Sequence, residues 1–129
     1  MPIEQTRSKR KPTGGRIKDR RKSRRYAKSN KPILTQVGGR KTRNVRELGG
    51  NRKTRILSAE TISVTDPKSK KTKSYKILNV VENPADPNFT RRNILTKGAI
   101  IETDAGNVRV TSRPGQQGAI AGVLIGKSE

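Results

Sequence analysis

The sequence predicts an all-β protein, a small antiparallel β-barrel with an extended basic N-terminal tail, and two observations support this prediction. First, the 129 residues contain 26 Leu, Ile, Val and Phe side chains, of which only two fall in residues 1–32. A segment so poor in apolar side chains cannot bury enough surface to offset the entropy lost on ordering it. Second, residues 33–129 contain short β-rich runs separated by Gly, Pro, Asn and Asp, as in small closed sheets. We therefore expect a tail over 1–32 and a barrel domain over 33–129.

The barrel domain is expected to contain five to seven short strands. The candidate strands, in chain order, are residues 33–37, 43–48, 54–65, 74–81, 99–103, 107–111 and 119–125. Gly38-Gly39 separates the first two, which are the weaker candidates. An Asp-Pro pair opens a hairpin loop over 66–73, and residues 104–107 form a tight hairpin turn. Such strands fit a small antiparallel barrel or a sandwich. Closing the sheet into a barrel removes exposed strand edges, which favours the barrel for a chain with so few apolar residues.

One short helix is predicted among these strands. A loop at residues 83–88 contains two prolines, and the following residues 90–97 have a helical pattern. Asn88 or Thr90 is the expected N-cap of this helix, and Gly98 is expected to end it.

The charge of the chain indicates its kind of partner. The sequence has 31 Lys and Arg against 10 Asp and Glu, a net charge of +21, and 20 of the basic residues lie in residues 1–55. Such a charge attracts a polyanion. Nucleic acid is the leading candidate, with an anionic membrane surface and an acidic protein as the alternatives.

The residues that the chain lacks exclude several function classes. There is no Cys and no His, so catalysis by Ser-His-Asp or Cys-His groups is excluded, and the usual transition-metal ligands are missing. We therefore predict no enzyme activity, no metal, no cofactor and no small-molecule substrate. The apolar run at 119–125 is too short to cross a membrane, and no secretory signal follows the basic N-terminus, so we expect a cytoplasmic protein without membrane contact.

The tail contains the first group of predicted RNA-binding residues. Its basic residues are too dense for one helical face, so we expect them to pair with phosphates on several sides. Two glycines between them allow a sharp turn or a close approach of the backbone to a phosphate. The predicted tail contacts are Lys9, Arg10, Lys11, Gly14, Gly15, Arg16, Arg20, Arg21, Arg24 and Arg25. The alternative is a solvated tail with a purely electrostatic role.

The second group lies in the folded part, where a Gly pair twice precedes a basic cluster. A Gly-rich turn exposes successive backbone N–H groups, and neighbouring Arg and Lys side chains can complete an anion site. The predicted contacts are Arg40, Lys41, Arg43, Arg52, Lys53 and Arg55. The alternative is an ordinary hairpin whose basic residues face water.

Aromatic residues are too few for base stacking to dominate binding. The chain has two Tyr, one Phe and no Trp, whereas single-strand binders use aromatic platforms. Tyr75 and Phe89 are expected in the core, and Tyr26 in the tail is a candidate to stack on a base. Binding should therefore engage mainly the RNA backbone.

Four segments together resemble a known family. They are SKRKPTGGR at 8–16, GGNRKTR at 49–55, RRNILTKGAIIET at 91–103 and VTSRPGQQG at 110–118. In this order they are similar to the archaeal small-subunit ribosomal protein of the S8e family, which eukaryotes share. The resemblance implies a β-barrel body, a tail buried in small-subunit ribosomal RNA, neighbouring ribosomal proteins as partners, and no enzymatic activity. It places family contacts on the basic residues of 8–16 and on Arg52, Lys53 and Arg55.

The leading hypothesis is thus a structural constituent of the small ribosomal subunit. Two alternatives stay open. One is a ribosome assembly factor that leaves the mature particle, and the other is a nucleoid protein that binds DNA through the same phosphate chemistry.

Overall fold

A computed structural model describes residues 7–22, 24–27 and 29–126 of the chain, and the side chain of Arg25 lies outside the described part. The chain divides into two units, residues 1–32 and residues 33–129, and each is described by itself. Among the described residues no helix has the length and apolar character needed to cross a bilayer.

The first unit contains a short hairpin within the predicted extended tail. The amide of Ile17 donates to Lys9 O at 2.8 Å, and the amide of Lys11 donates to Gly15 O at 2.8 Å. The amide of Gly14 donates to Lys11 O, and Gly14 has a φ of +82°. A turn of this kind, closed by a glycine in the left-handed region, is a common three-residue hairpin connection. A single 3-10 turn follows at Arg25–Ala27.

The second unit contains nine strands and one short α-helix within its described residues. The strands are β1 (Thr35–Val37), β2 (Lys41–Arg46), β3 (Arg52–Ala59), β4 (Thr61–Thr65), β5 (Thr72–Glu82), β6 (Ile94–Leu95), β7 (Ile100–Thr103), β8 (Gly106–Val110) and β9 (Ala121–Gly126). The helix α1 covers Pro87–Arg91, and a 3-10 turn at Leu48–Gly50 connects β2 to β3.

Five of the strands form a closed barrel in the order β4-β5-β7-β8-β9. Four of its pairings are antiparallel, and β9 closes the barrel by pairing with β4 in parallel, with Ser63 opposite Ala121. The predicted small β-barrel is therefore confirmed, with one parallel seam. The hairpin over 66–73 is also confirmed, since Thr65 pairs with Thr72 across it.

The other four strands form a second sheet in the order β2-β3-β1-β6, which the sequence did not predict. The predicted strand over 54–65 is two strands, because the chain passes from this sheet to the barrel at Glu60, between β3 and β4. β1 pairs with β3 in parallel and with β6 in antiparallel orientation.

The predicted helix over 90–97 is wrong in its position. Helix α1 ends at Arg91, and its N-cap is Asp86, whose side chain accepts a hydrogen bond from the amide of Asn88 at 2.9 Å. Ile94 and Leu95 lie in strand β6 and are buried. Burial of these two side chains outweighs the weak local preference for helix.

The core consists mainly of β-branched side chains from both sheets. The fully buried members include Ile62, Ile94, Ile101, Val108 and Val110. Tyr75 is partly buried and packs against this core, and Phe89 is half-buried on α1. Aliphatic side chains pack well on pleated strands, which explains how a chain with few aromatic residues fills a small barrel.

Gly122 lies where two barrel strands approach closely. A Cβ atom at this position would be 2.5 Å from Val108 Cγ1 and 2.9 Å from Arg109 O. A glycine at this position therefore permits the close approach of β8 and β9.

Candidate nucleic-acid interface

Strands β2 and β3 form an antiparallel hairpin that we call the basic ribbon, residues 40–55. It brings together the six predicted contacts of the folded part: Arg40, Lys41, Arg43, Arg52, Lys53 and Arg55. Five of them are exposed, and Arg55 is partly buried. They form two separate clusters along the sequence, and pairing of the strands makes them one surface.

The register of the basic ribbon places arginines directly opposite each other. Arg43 pairs with Arg55, and Arg46 pairs with Arg52. Like charges at directly opposite positions of an antiparallel pair lower the stability of the sheet. The basic ribbon therefore has a charge arrangement that costs stability in the free protein and suits a bound anion.

Glu47 offsets the charge on one face of the basic ribbon. Its carboxylate pairs with Lys53 Nζ at 3.1 Å and with Arg55 Nη2 at 3.8 Å. The side chain of Arg55 is only 12% exposed, and its Nε is buried without a hydrogen-bond partner in the described part of the chain. Arg55 is therefore less accessible to a ligand than the other basic residues of the ribbon.

On the opposite face of the basic ribbon, no acid among the described residues pairs with the arginines. Alternation along the strands places Arg46 and Arg52 on the same face as Asn44 and Thr54. Thr54 Oγ1 donates to Asn44 Oδ1 at 2.9 Å. Arg46 and Arg52 are exposed and belong to none of the ion pairs found among the described residues, which involve Glu47 and Glu60.

Arg46 is not among the contacts predicted from the sequence. It lies in the predicted strand over 43–48, but only its register opposite Arg52 shows that it extends the charged face. A strand prediction for residues 52–55 together with a short connecting turn would have revealed this pairing.

The tip of the basic ribbon is a tight glycine turn. The amide of Glu47 donates to Asn51 O at 2.7 Å, and Gly49 and Gly50 have φ values of +73° and +80°. Side chains other than glycine rarely adopt such values. Leu48 projects from this turn and is 94% exposed.

In the other Gly pair, Gly38-Gly39, the backbone of Gly38 has a structural role. The amide of Gly38 donates to Ala59 O at 3.0 Å, so this N–H group is not available to an anion. Gly38 has a φ of +153° and connects β1 to β2.

The segment SRPGQQG at 112–118 packs against β3. The amide of Ile56 donates to Pro114 O at 3.0 Å. A Cβ atom on Gly118 would lie 3.2 Å from Thr54 Cβ. This segment, which connects two barrel strands, therefore holds the basic ribbon beside the barrel. Its packing gives the motif at 110–118 a structural explanation.

The tail hairpin, residues 9–17, contains a third pair of opposed arginines. Arg10 and Arg16 form an antiparallel bridge, and Arg10 Nη1 donates to Gly14 O at 2.9 Å. The other predicted contacts here are Lys9, Lys11, Gly14 and Gly15, and all are exposed. The turn at Gly14 thus gathers the first predicted cluster on one small hairpin.

The rest of the tail contacts are not gathered into a hairpin. Arg20, Arg21 and Arg24 are exposed. Arg25 starts a 3-10 turn, but its side chain lies outside the described part. Tyr26 in the same turn is 77% exposed, which leaves its ring open to a partner.

Comparison with known proteins identifies close similarity over nearly the whole chain. The family model described as Ribosomal protein S8e matches residues 4–125. A Picrophilus torridus protein, "Small ribosomal subunit protein eS8", is 44% identical over 97% of this chain and all of its own length. The Methanobrevibacter smithii protein of the same name has the same identity and coverage. That of Methanococcoides burtonii is 46% identical over 94% of this chain and 97% of its own length.

Proposed function

Because this chain belongs to the ribosomal protein S8e family, we propose that it is a structural constituent of the small ribosomal subunit. The family resemblance of the sequence is thereby confirmed. In this role the protein binds small-subunit ribosomal RNA and lies beside other ribosomal proteins in the cytoplasmic ribosome. The role involves no catalytic step, in keeping with a chain that has no His and no Cys.

The opposed arginines are the observation that supports RNA binding most strongly. Three pairs face each other across antiparallel backbones: Arg10 with Arg16, Arg43 with Arg55, and Arg46 with Arg52. At the exposed pair of Arg46 and Arg52, a phosphate placed between the two guanidinium groups accepts hydrogen bonds from both and removes their repulsion. The energy that the free protein loses by opposing these charges is regained on binding.

The predicted mode of recognition is contact with the RNA backbone. Arginine and lysine contacts to phosphate position a protein on nucleic acid without reading its sequence. Specificity then comes from the shape of the folded RNA and the spacing of its phosphates. The glycine turns at Gly14 and at Gly49-Gly50 support this mode, since both present basic residues on narrow hairpins.

The direct test is binding of the full chain to small-subunit ribosomal RNA at several salt concentrations. If roughly 6–10 phosphates are engaged, affinity falls roughly 10³–10⁵-fold between about 50 and 200 mM salt. A response that is flat with salt contradicts phosphate contact as the main interaction.

Sedimentation of native lysate distinguishes this role from the other candidates. We expect the protein at equal stoichiometry in the mature small-subunit peak after a high-salt wash. Its presence only in precursor particles would indicate an assembly factor, and its presence with DNA after ribonuclease treatment would indicate a nucleoid protein.

A further inference from the structure

The connection between β4 and β5, together with the first two residues of β5, forms a second basic surface of this unit, which we call the lysine loop, residues 66–73. Its four basic side chains are Lys68, Lys70, Lys71 and Lys73. All four are exposed, and none of them forms an ion pair with a described residue. They lie outside both the tail and the basic ribbon.

Asp66 is the acid of this loop, and its carboxylate is used by the loop itself. Oδ1 accepts from the amide of Lys68 at 2.9 Å, and Oδ2 accepts from Ser69 Oγ at 2.9 Å. These hydrogen bonds lower the pKa of Asp66, with the amide of Lys68 as the largest cause. The carboxylate therefore shapes the turn and forms no ion pair with a lysine ammonium.

Lys70 occupies a backbone conformation that lysine rarely adopts. Its φ is +54°, and its amide donates to Asp66 O at 2.9 Å. Glycine or asparagine would fit this left-handed position with less strain. A lysine here is thus less favourable for the turn than glycine or asparagine would be. The property that lysine has and these two residues lack is a positive charge.

The two acidic residues near the lysine loop, Asp66 and Asp104, do not cancel its positive charge. Lys71 and Lys73 line a cleft of about 650 Å³ at one end of the barrel, together with Tyr75 and Asp104. Asp104 offsets part of their charge. Lys68 and Lys70 do not line this cleft. The charge of Lys68 acts on the carboxylate of Asp66 and helps to lower its pKa, whereas no described acid forms an ion pair with Lys70.

The composition of the lysine loop favours RNA over a protein as its partner. Protein interfaces are centred on aromatic, Met and Arg side chains and are depleted in Lys. Residues 66–73 contain no large apolar side chain and no Arg. Lysine binds phosphate as a point charge and does not require a bidentate geometry.

The lysine loop is well separated from the basic ribbon along the strands. β3 leads from the ribbon tip to Glu60, and β4 leads from there to the loop. β3 and β4 belong to different sheets and are not paired with each other. β4 alone, with five residues, is about 17 Å long.

We propose that the lysine loop binds the phosphate backbone of a second segment of ribosomal RNA, so that the body of the protein bridges two RNA segments. This proposal rests on the proposed function of the basic ribbon as an RNA contact. The loop contributes sequence-independent contacts through Lys68, Lys70 and their neighbours.

Directed cleavage of the RNA from single positions tests the proposal. The chain has no cysteine, so Lys70→Cys and Leu48→Cys each provide one attachment point for an iron chelate that generates hydroxyl radicals. Each full-length variant is assembled with small-subunit ribosomal RNA and the other subunit proteins. We expect cleavage from position 70 in an RNA segment that position 48 does not cleave.

The other outcomes are distinguishable. Cleavage from position 48 alone, or the same segment cleaved from both positions, overturns the second contact and leaves the proposed function intact. Cross-linking of position 70 to an acidic protein in place of RNA also overturns it. If neither position cleaves RNA, the proposed function itself fails, and this proposal fails with it.

Affinity measurements provide a second test with a matched control. The variant Lys68→Gln/Lys70→Gln/Lys71→Gln should reduce the slope of log affinity against log salt by about one for each phosphate that the variant no longer binds. Lys76→Gln removes a lysine that is already paired with Glu60 at 3.0 Å, and a smaller change is expected. Lys70→Gly should weaken binding while its melting temperature stays equal or rises, which a purely structural role of Lys70 would not produce. Unchanged RNA affinity in both loop variants overturns the proposal.

Discussion

Arg55 and Glu47 form an ion pair at 3.8 Å beside the tip of the basic ribbon, while Nε of the same arginine is buried without a hydrogen-bond partner in the described part of the chain. Arg55 is thus held by an acid and shielded from solvent. Arg46 and Arg52 on the other face are exposed and have no such acid. We therefore rank Arg46 and Arg52 above Arg55 as direct RNA contacts.

Replacing both exposed arginines should separate stability from binding. In Arg46→Gln/Arg52→Gln the repulsion between opposite residues is removed, so the free protein should gain about 0.2–1 kcal/mol of stability. RNA affinity should fall, with a salt slope reduced by about two. Thermal unfolding and a salt series of binding assays measure both quantities. A variant that binds RNA as well as the wild type would contradict the role of this face.

Replacing Glu47 should lower the stability of the free protein and raise its RNA affinity, the reverse of what the double arginine variant does. Glu47→Gln leaves the mostly buried Arg55 without its acid, so stability should fall by about 1–2 kcal/mol. The positive charge of the basic ribbon rises, so RNA affinity at low salt should increase. Glu60→Gln is the control, because it breaks only the exposed pair with Lys76 and should cost less than about 1 kcal/mol. Equal effects of the two variants on RNA affinity would count against this interpretation.

Two glycines of β9 should respond very differently to a methyl group. Gly122→Ala places its Cβ against Val108 and Arg109 O, and overpacking of this kind costs about 1–3 kcal/mol or more. Gly126→Ala meets no atom of the described residues within 4 Å and should be nearly neutral. Thermal melting compares them, and a difference of about 4–8 °C is expected for each 1 kcal/mol. Equal melting temperatures would show that β9 shifts to accept the methyl group.

Removal of the tail should leave the second unit folded. A chain containing only residues 33–129 retains both sheets, so its cooperative melting should persist, while its RNA affinity and salt slope should both fall. A peptide of residues 1–32 should show no cooperative transition, since an isolated two-stranded hairpin is marginally stable in water. Circular dichroism and binding assays test the two halves. Loss of cooperative melting on removing the tail would contradict the division at residue 32.

The lysine loop should respond to acid through Asp66. The pKa of this carboxyl is lowered below its ordinary value of 3.8 by its hydrogen bonds to Lys68 and Ser69. A lowered pKa means that the stabilisation is complete above the unfolded-state pKa and is lost as the pH falls through the folded-state pKa. The melting temperatures of wild type and Asp66→Ala should therefore converge as the pH is lowered below about 4. A constant difference through this range would exclude the carboxylate as the cause.

Local signals in the sequence were sufficient to predict many of the strands of the barrel and of the basic ribbon. The hairpin loop over 66–73 and the turn at 104–107 could be predicted because each depends on residues that are close in sequence. The alignment of Arg46 with Arg52 requires the register of β2 against β3, which no single residue specifies. The four-stranded sheet depends on parallel pairing of β1 with β3 and on burial of Ile94 and Leu95, and these are contacts between distant segments. Such contacts override weak local preferences and are not visible in composition.

The parallel pairing of β4 with β9 has a consequence for biosynthesis. β9 is the last strand in chain order, and without it the barrel has an open seam along β4. On a translating ribosome the tail and the basic ribbon are therefore made before the barrel can close. The nascent chain therefore exposes most of its positive charge while its core is still incomplete.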